Sequence, residues 1–209
     1  DIFIIRDYRK NPDQWEKIST AGSHDIHPSW SPDGKMLVYS STNDLADGEW
    51  TLKVFDFSTK SHFILPIDGL LPEWSPRKGD NRILFQRMRH RGNRFGTLWT
   101  VRFEDGEARE PTEIVGSSDW AAINPAWSPD GRHIVFATVA KSKGRSGILD
   151  EADDIWIAND NGSALTQITS DPAADWLPTW SPDGSILFTS KREGKQNIWS
   201  LTPLIPFQQ

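Results

Sequence analysis

Apolar and polar residues alternate along this chain in short bursts, each a few residues long and closed by a cluster of turn formers. "KMLVYS", "RILFQR", "HIVFAT" and "SILFTS" mix β-branched and aromatic residues with polar ones and read as strands. A second set follows at a variable distance: "TLKVFDF", "TLWTVRF", "DIWIAN" and "NIWSLT". A further set is recognisable in "HFILP", "TEIVG" and "LTQITS", and "NDNG" before the last of these is a hairpin turn signal. No stretch carries a sustained 3.6-residue apolar period, so helix is expected to be scarce.

What precedes each strand of the first set is nearly the same phrase. Trp30, Trp74, Trp127 and Trp180 each lie two residues after a proline and are each followed by Ser-Pro, at spacings of 44, 53 and 53 residues. In three copies Ser-Pro-Asp-Gly results. Proline presets φ, aspartate bonds local backbone, and glycine accepts the left-handed conformation that ends the turn. Asp33 with Gly34, Asp130 with Gly131 and Asp183 with Gly184 are thus assigned to hairpin turns. The second copy, "WSPRKGDNRILFQ", stretches the turn and keeps the strands.

The chain also opens out of phase. "DIFIIR" reads like "DIWIAN", and Ile18 lies twelve residues before Trp30 as Ile168 lies twelve before Trp180. A four-stranded meander repeated at this period predicts an all-β chain, a single β-propeller domain over residues 1–209 with about four recognisable blades. The repeats run over about 21–66, 67–116, 117–170 and 171–203, after a partial blade at 1–20. Trp30, Trp74, Trp127 and Trp180 are expected to pack between blades, which accounts for much of an excess of eleven tryptophans in 209 residues.

Composition narrows the partners more than the fold. Net charge is −6 with a pI near 5.4, so the surface as a whole should repel nucleic acid and anionic lipid. No apolar run approaches the roughly 18–20 residues that span a bilayer, so no membrane insertion is expected. No secretory signal is read in "DIFIIRDYRK", which lacks a basic start and a long apolar middle. The absence of cysteine excludes disulfides, thiolate zinc sites and a cysteine nucleophile.

"PSWSPDG…LVYSS", "PAWSPDG…IVFAT", "DIWIANDNGSALTQIT" and "PTWSPDG…LFTSKREGKQNIW" resemble the TolB-type propeller repeat over nearly the whole chain. The resemblance implies a periplasmic or extracytoplasmic, non-catalytic propeller that docks on protein partners of the cell envelope. Related propellers gate prolyl oligopeptidase-type and tricorn-type proteases. The sequence departs from TolB itself, whose α/β domain is missing here and whose propeller has six blades. Four blades leave two arrangements: a small ring in which "EKIST" completes the last blade beside "NIWSLT", or an arc of a larger ring.

Catalytic constellations are not legible. No Gly-x-Ser-x-Gly elbow occurs, and Ser146 in "KGRSGILD" reads as loop. His62 and His133 fall in strands; His24 and His27 have a spacing that suits a metal but no visible third ligand. Asp150, Glu151, Asp153 and Asp154 lack a calcium-loop register and read as a solvated loop. No cofactor and no metal are expected. Two insertions stand out instead: "RMRHRGNRFG" with Arg87, Arg89, Arg91 and Arg94, and "VAKSKGRSGILDEADD" with Lys141, Lys143 and Arg145. The second is basic at first and then acidic, and a basic loop on an acidic background favours an acidic protein surface as partner. Trp120 and Trp176, each after an aspartate, are candidates for an aromatic patch at one mouth, with Asp25 and Ile26 at the matching place in the first copy. The reading is an interaction propeller, an accessory subunit in a larger assembly. The alternatives are the propeller of an oligopeptidase-like or polysaccharide-lyase-like enzyme, and a glycan-binding module.

Overall fold

The computed structural model describes residues 1–43, 50–88, 96–140 and 154–204, and within them the chain is strand and turn without helix. A hairpin of β1 (Phe3–Ile5) and β2 (Trp15–Lys17) comes first. Blade one follows as β3 (Ser23–Trp30), β4 (Met36–Asn43), β5 (Trp50–Asp56) and β6 (Ser61–Asp68). Blade two is β7 (Leu70–Trp74), β8 (Arg82–Met88), β9 (Gly96–Glu104) and β10 (Glu107–Val115). Blade three is β11 (Trp120–Trp127), β12 (His133–Ala140), β13 (Asp154–Asn159) and the short β14 (Thr166–Gln167). Blade four has three strands, β15 (Asp175–Trp180), β16 (Ile186–Ser190) and β17 (Asn197–Leu201). Every sheet is an antiparallel meander in sequence order, so this is a four-bladed propeller arrangement.

The turn chemistry read from the sequence is visible atom by atom. Ser31 Oγ donates to Asp33 Oδ1 at 2.7 Å, the Lys35 amide donates to the same oxygen at 3.1 Å, and the Gly34 amide reaches the Ser31 carbonyl at 2.9 Å. Ser128 and Asp130 repeat the first contact at 2.6 Å, and Gly34, Gly131 and Gly184 have φ of 70°, 63° and 86°. The hydrogen bond from Ser31 holds the Asp33 carboxyl below the usual range, and that from Ser185 does the same for Asp183.

Each first strand carries one further device. The register slips just before the tryptophan, between Ile26 and Ser29, Leu70 and Glu73, Ile123 and Ala126, and Trp176 and Thr179. The residue ahead of each proline, His27, Leu71, Asn124 and Leu177, is left-handed with φ of 52–54°. Such a conformation costs about 1–3 kcal/mol at a non-glycine residue and survives only where its surroundings fix it. Its fourfold recurrence makes the bulge part of the blade.

Strand alternation sends successive residues to opposite faces, and each face belongs to a different core. Val38, Leu52 and Val54 of blade one meet Trp74, Ile83 and Phe85 of blade two. Leu84 and Leu98 of blade two meet Trp127, Ile134 and Phe136 of blade three. Val135, Ala137 and Ile155 of blade three meet Ile186 and Phe188, with Trp180 partly buried beside them. Trp74 and Trp127 are thus buried between blades as expected, at 5% and 4% exposure.

Trp30 is the exception, 49% exposed and stacked on Phe57 of its own blade at 4.9 Å. Its siblings are covered by the preceding blade, and what precedes blade one here is only the β1–β2 hairpin. That hairpin also corrects the closure by "EKIST". β2 pairs with β1, from Phe3 with Lys17 to Ile5 with Trp15, and Ile18 donates its amide to the Ile2 carbonyl at 2.9 Å. Ile2 and Ile18 are buried against Leu37, Tyr39 and Phe55 of blade one. A partner a few residues away is entropically cheaper than β17 near the other end of the chain. Among the described residues no apolar core joins blade four to this hairpin.

Candidate functional site

The meander order gives the molecule two ends. At one lie the Ser-Pro hairpin turns and the turns from third to fourth strand. At the other lie the second-to-third connections and the links into the next blade. The connection from β8 to β9 spans 89–95 and that from β12 to β13 spans 141–153, so both insertions arise at this second end, from neighbouring blades. Arg89, Arg91, Arg94, Lys141, Lys143 and Arg145 lie outside the described residues, as do Ser146, Asp150, Glu151 and Asp153. Arg87 is described: its guanidinium lies 5.2 Å over the Trp99 ring. Asp154 opens β13, and burial raises its carboxyl, with Asp175 adding to the shift.

The two tryptophans of the supposed mouth patch are not neighbours. Trp120 faces blade two and stacks with Phe136 and Trp156, centroids 6.4 and 6.2 Å away. Trp176 pairs with Thr189, on the face of blade four turned away from blade three, with the Lys191 ammonium 5.8 Å from its ring. The shared Asp-Trp pair misled because Trp120 lies seven residues before Trp127, whereas Trp176 lies four before Trp180. An odd shift in a strand reverses the face.

His24 sits on β3 opposite Thr42, and His27 is the left-handed residue of that strand, its pKa lowered by partial burial. No group of three potential metal ligands occurs among the described residues. His62 Nδ1 and the Tyr39 hydroxyl are hydrogen-bonded at 3.0 Å.

The more unusual electrostatics lie where the sequence drew no attention. The Glu73 carboxylate accepts the Trp127 amide, and the Glu73 carbonyl accepts Trp127 Nε1 at 3.2 Å, which ties blade two to blade three. Burial pushes the Glu73 carboxyl up to about 7. Arg82 lies 5.3 Å over the Trp127 ring and donates at 2.8 Å to both Asp80 and Asp160. Burial alone would raise Asp80, but its hydrogen bonds from Arg82 and Ser75 reverse the shift and hold it low. In blade four Arg192 lies over Phe188 and Trp199, at 5.2 and 5.0 Å, and donates to the fully buried Asp175 at 2.7 Å. One signal for Glu73 was in the sequence: it occupies the place before the tryptophan that Ser29, Ala126 and Thr179 take elsewhere.

With this repeat geometry in place, the family comparison matches the TolB β-propeller domain over residues 70–203. The chain belongs to the TolB β-propeller domain family. The Tol-Pal system protein TolB of Anaeromyxobacter dehalogenans is 32% identical over 136 residues, 64% of this chain and 27% of that protein. The structure of a TolB described from Agrobacterium tumefaciens superposes with a TM-score of 0.66 at 20% identity, covering 90% of this chain and 62% of that one. A prolyl endopeptidase structure superposes with a TM-score of 0.61 at 14% identity, over 90% of this chain and 28% of that one, a likeness of fold. The chain spans about half or less of the length of the curated relatives it matches. No helix among the described residues of this TolB-type propeller is long and apolar enough to cross a membrane.

Proposed function

We propose that this TolB-type propeller is a non-catalytic interaction module, an accessory subunit that docks on an acidic protein surface in the bacterial cell envelope. The observation that carries the reading is the placement of the two insertions: neighbouring blades of one orientation send clusters of cations out at the same end, Arg89, Arg91 and Arg94 in 89–95 and Lys141, Lys143 and Arg145 ahead of the acidic half of 141–153. Cationic groups gathered on an anionic body speed encounter with an acidic partner and disfavour other docking faces. Membership of the TolB family, and a curated relative named for the Tol-Pal system, support the envelope setting.

The test is affinity purification of the tagged chain from envelope extracts, beside a variant with Arg89, Arg91 and Arg94 changed to glutamate. A partner that purifies with the parent at low salt, dissociates as salt rises and is lost from the variant is the expected result. Equal recovery with both proteins, or no partner with either, overturns the proposal.

A further inference from the structure

A groove of about 1240 Å³ opens between blades one and two at the hairpin-turn end, opposite the basic insertions. Its floor is apolar and comes from both blades: Met36 and Phe63 from blade one, Trp74 and Phe103 from blade two. Phe63 and Phe103 pack edge-to-face at 5.6 Å, and Trp74 and Phe103 do so at 5.8 Å.

The next junction shows that such a space need not stay open. Phe103 donates its amide to the Asn81 carbonyl as Asp160 does to Arg132, so Phe103 and Asp160 hold equivalent places. Met36 and Arg82 are equivalent too, each one residue before the partner of its blade's tryptophan. Between blades two and three the Arg82–Asp160 bridge lies across Trp127, and Arg77 donates to the Gly131 carbonyl at 3.1 Å. The pocket beside that bridge holds about 220 Å³. Between blades one and two both bridge positions are apolar, and the two-residue longer turn of blade two supplies a wall at Lys78 and Gly79.

The rim carries Asp33, Asp56, Glu104 and Asp105 against Lys35 and Lys78, a formal excess of two negative charges. Asp33 is held by the Ser31 hydroxyl and the Lys35 amide, whereas Glu104 and Asp105 have loose ion pairs among the described residues, with Arg102 at 3.8 Å and Arg109 at 3.8 Å. Exposed pairs of that length contribute little and yield readily to a better-placed cation.

We infer that this groove binds a peptide segment of a partner protein in which an apolar or aromatic side chain lies beside lysine or arginine. The apolar side chain covers the Met36–Phe63–Trp74–Phe103 floor and the cations meet Glu104 and Asp105. The inference rests on the interaction reading above but uses the opposite end of the molecule. Its failure therefore leaves capture through the basic insertions untouched, and the reverse also holds.

Calorimetric titration of the chain with acetyl-Gly-Lys-Leu-Phe-Lys-Gly-amide tests it, beside peptides with Glu for Lys or Ser-Ser for Leu-Phe. Binding on the order of 100 μM is expected for the first peptide and at least about tenfold weaker binding for the other two. Met36→Arg, which places a cation over the floor, should weaken the first peptide about tenfold, and Asp105→Lys several-fold. Asp105 is exposed but left-handed at φ 53° in the β9–β10 turn, so near-ultraviolet circular dichroism checks the fold of both variants. No binding by the parent chain, equal binding of the acidic peptide, or affinity unmoved by both substitutions overturns the inference.

Discussion

Replacing Glu73 by glutamine tests whether a half-buried carboxyl at a blade junction costs this fold stability in a pH-dependent way. The carboxyl is pushed up to about 7 by burial, while in the unfolded chain it titrates near the ordinary value of roughly 4.3. Between those values the unfolded chain has released the proton and the folded chain still holds it. The unfolded state then binds fewer protons, so stability falls as pH rises from about 4.3 to about 7 and levels off above. At about 1.4 kcal/mol per unit the interval amounts to roughly 4 kcal/mol, or nearer 3 once partial solvent contact of the side chain is allowed for. Glutamine keeps an acceptor for the Trp127 amide and removes the titration. Urea unfolding at about pH 5, 6, 7 and 8 should show the variant gaining on the parent by about 2–3 kcal/mol across the series. Parallel stability curves would refute the reasoning, because they would mean that Glu73 titrates alike in both states.

The tryptophans should separate by junction: Trp127→Ala is expected to cost about 3–5 kcal/mol in urea unfolding, and the half-exposed Trp30→Ala about 1–2 kcal/mol. Arg82→Met removes the cation from Asp80 and leaves Asp160 only its longer pair with Arg77, so it should lower stability by about 1–3 kcal/mol at neutral pH, with the loss shrinking in acid as Asp80 protonates. Gly34→Ala should cost about 1–2 kcal/mol through its left-handed φ of 70°, since nothing crowds the new methyl group. Gly162→Ala should cost well over that in a thermal melt, because its Cβ would overlap the Ile114 carbonyl of the neighbouring blade.

Hairpin, strand and period were legible because each is local chemistry repeated. Proline, aspartate and glycine at fixed offsets define the turn, and alternation after it defines the strand. The fivefold occurrence of the third strand against four of each other kind was readable for the same reason. What the sequence hid depends on which face a residue takes. Trp120 and Trp176 look alike in their dipeptides, yet the bulge ahead of each first-strand tryptophan, and a three-residue offset, put them on opposite faces. Nor could the exposure of Trp30 be read, since it follows from what lies in front of blade one. Arg82, Asp160 and Trp127 meet across 78 residues of sequence or fewer, and no local pattern marks a contact of that kind.

Repetition supplies an internal control that single-copy folds lack, and it argues that function lies where the copies disagree. Positions that agree, such as the Ser-Pro turn and the left-handed residue before proline, are accounted for by blade geometry. Leu52, Leu98 and Ile155 agree as well, all fully buried by the following blade. Ile198 holds the same register place on β17 and is 78% exposed, as the next face of the series without its cover. Ile198→Asp should therefore leave the isolated chain's melting temperature within a degree or two, since an exposed site contributes within about 0.5 kcal/mol. The same substitution should abolish packing of any further blade on that face, because it would bury an unpaired carboxylate. A large loss of stability in the isolated chain would show that Ile198 is already covered, and that blade four is not an end face.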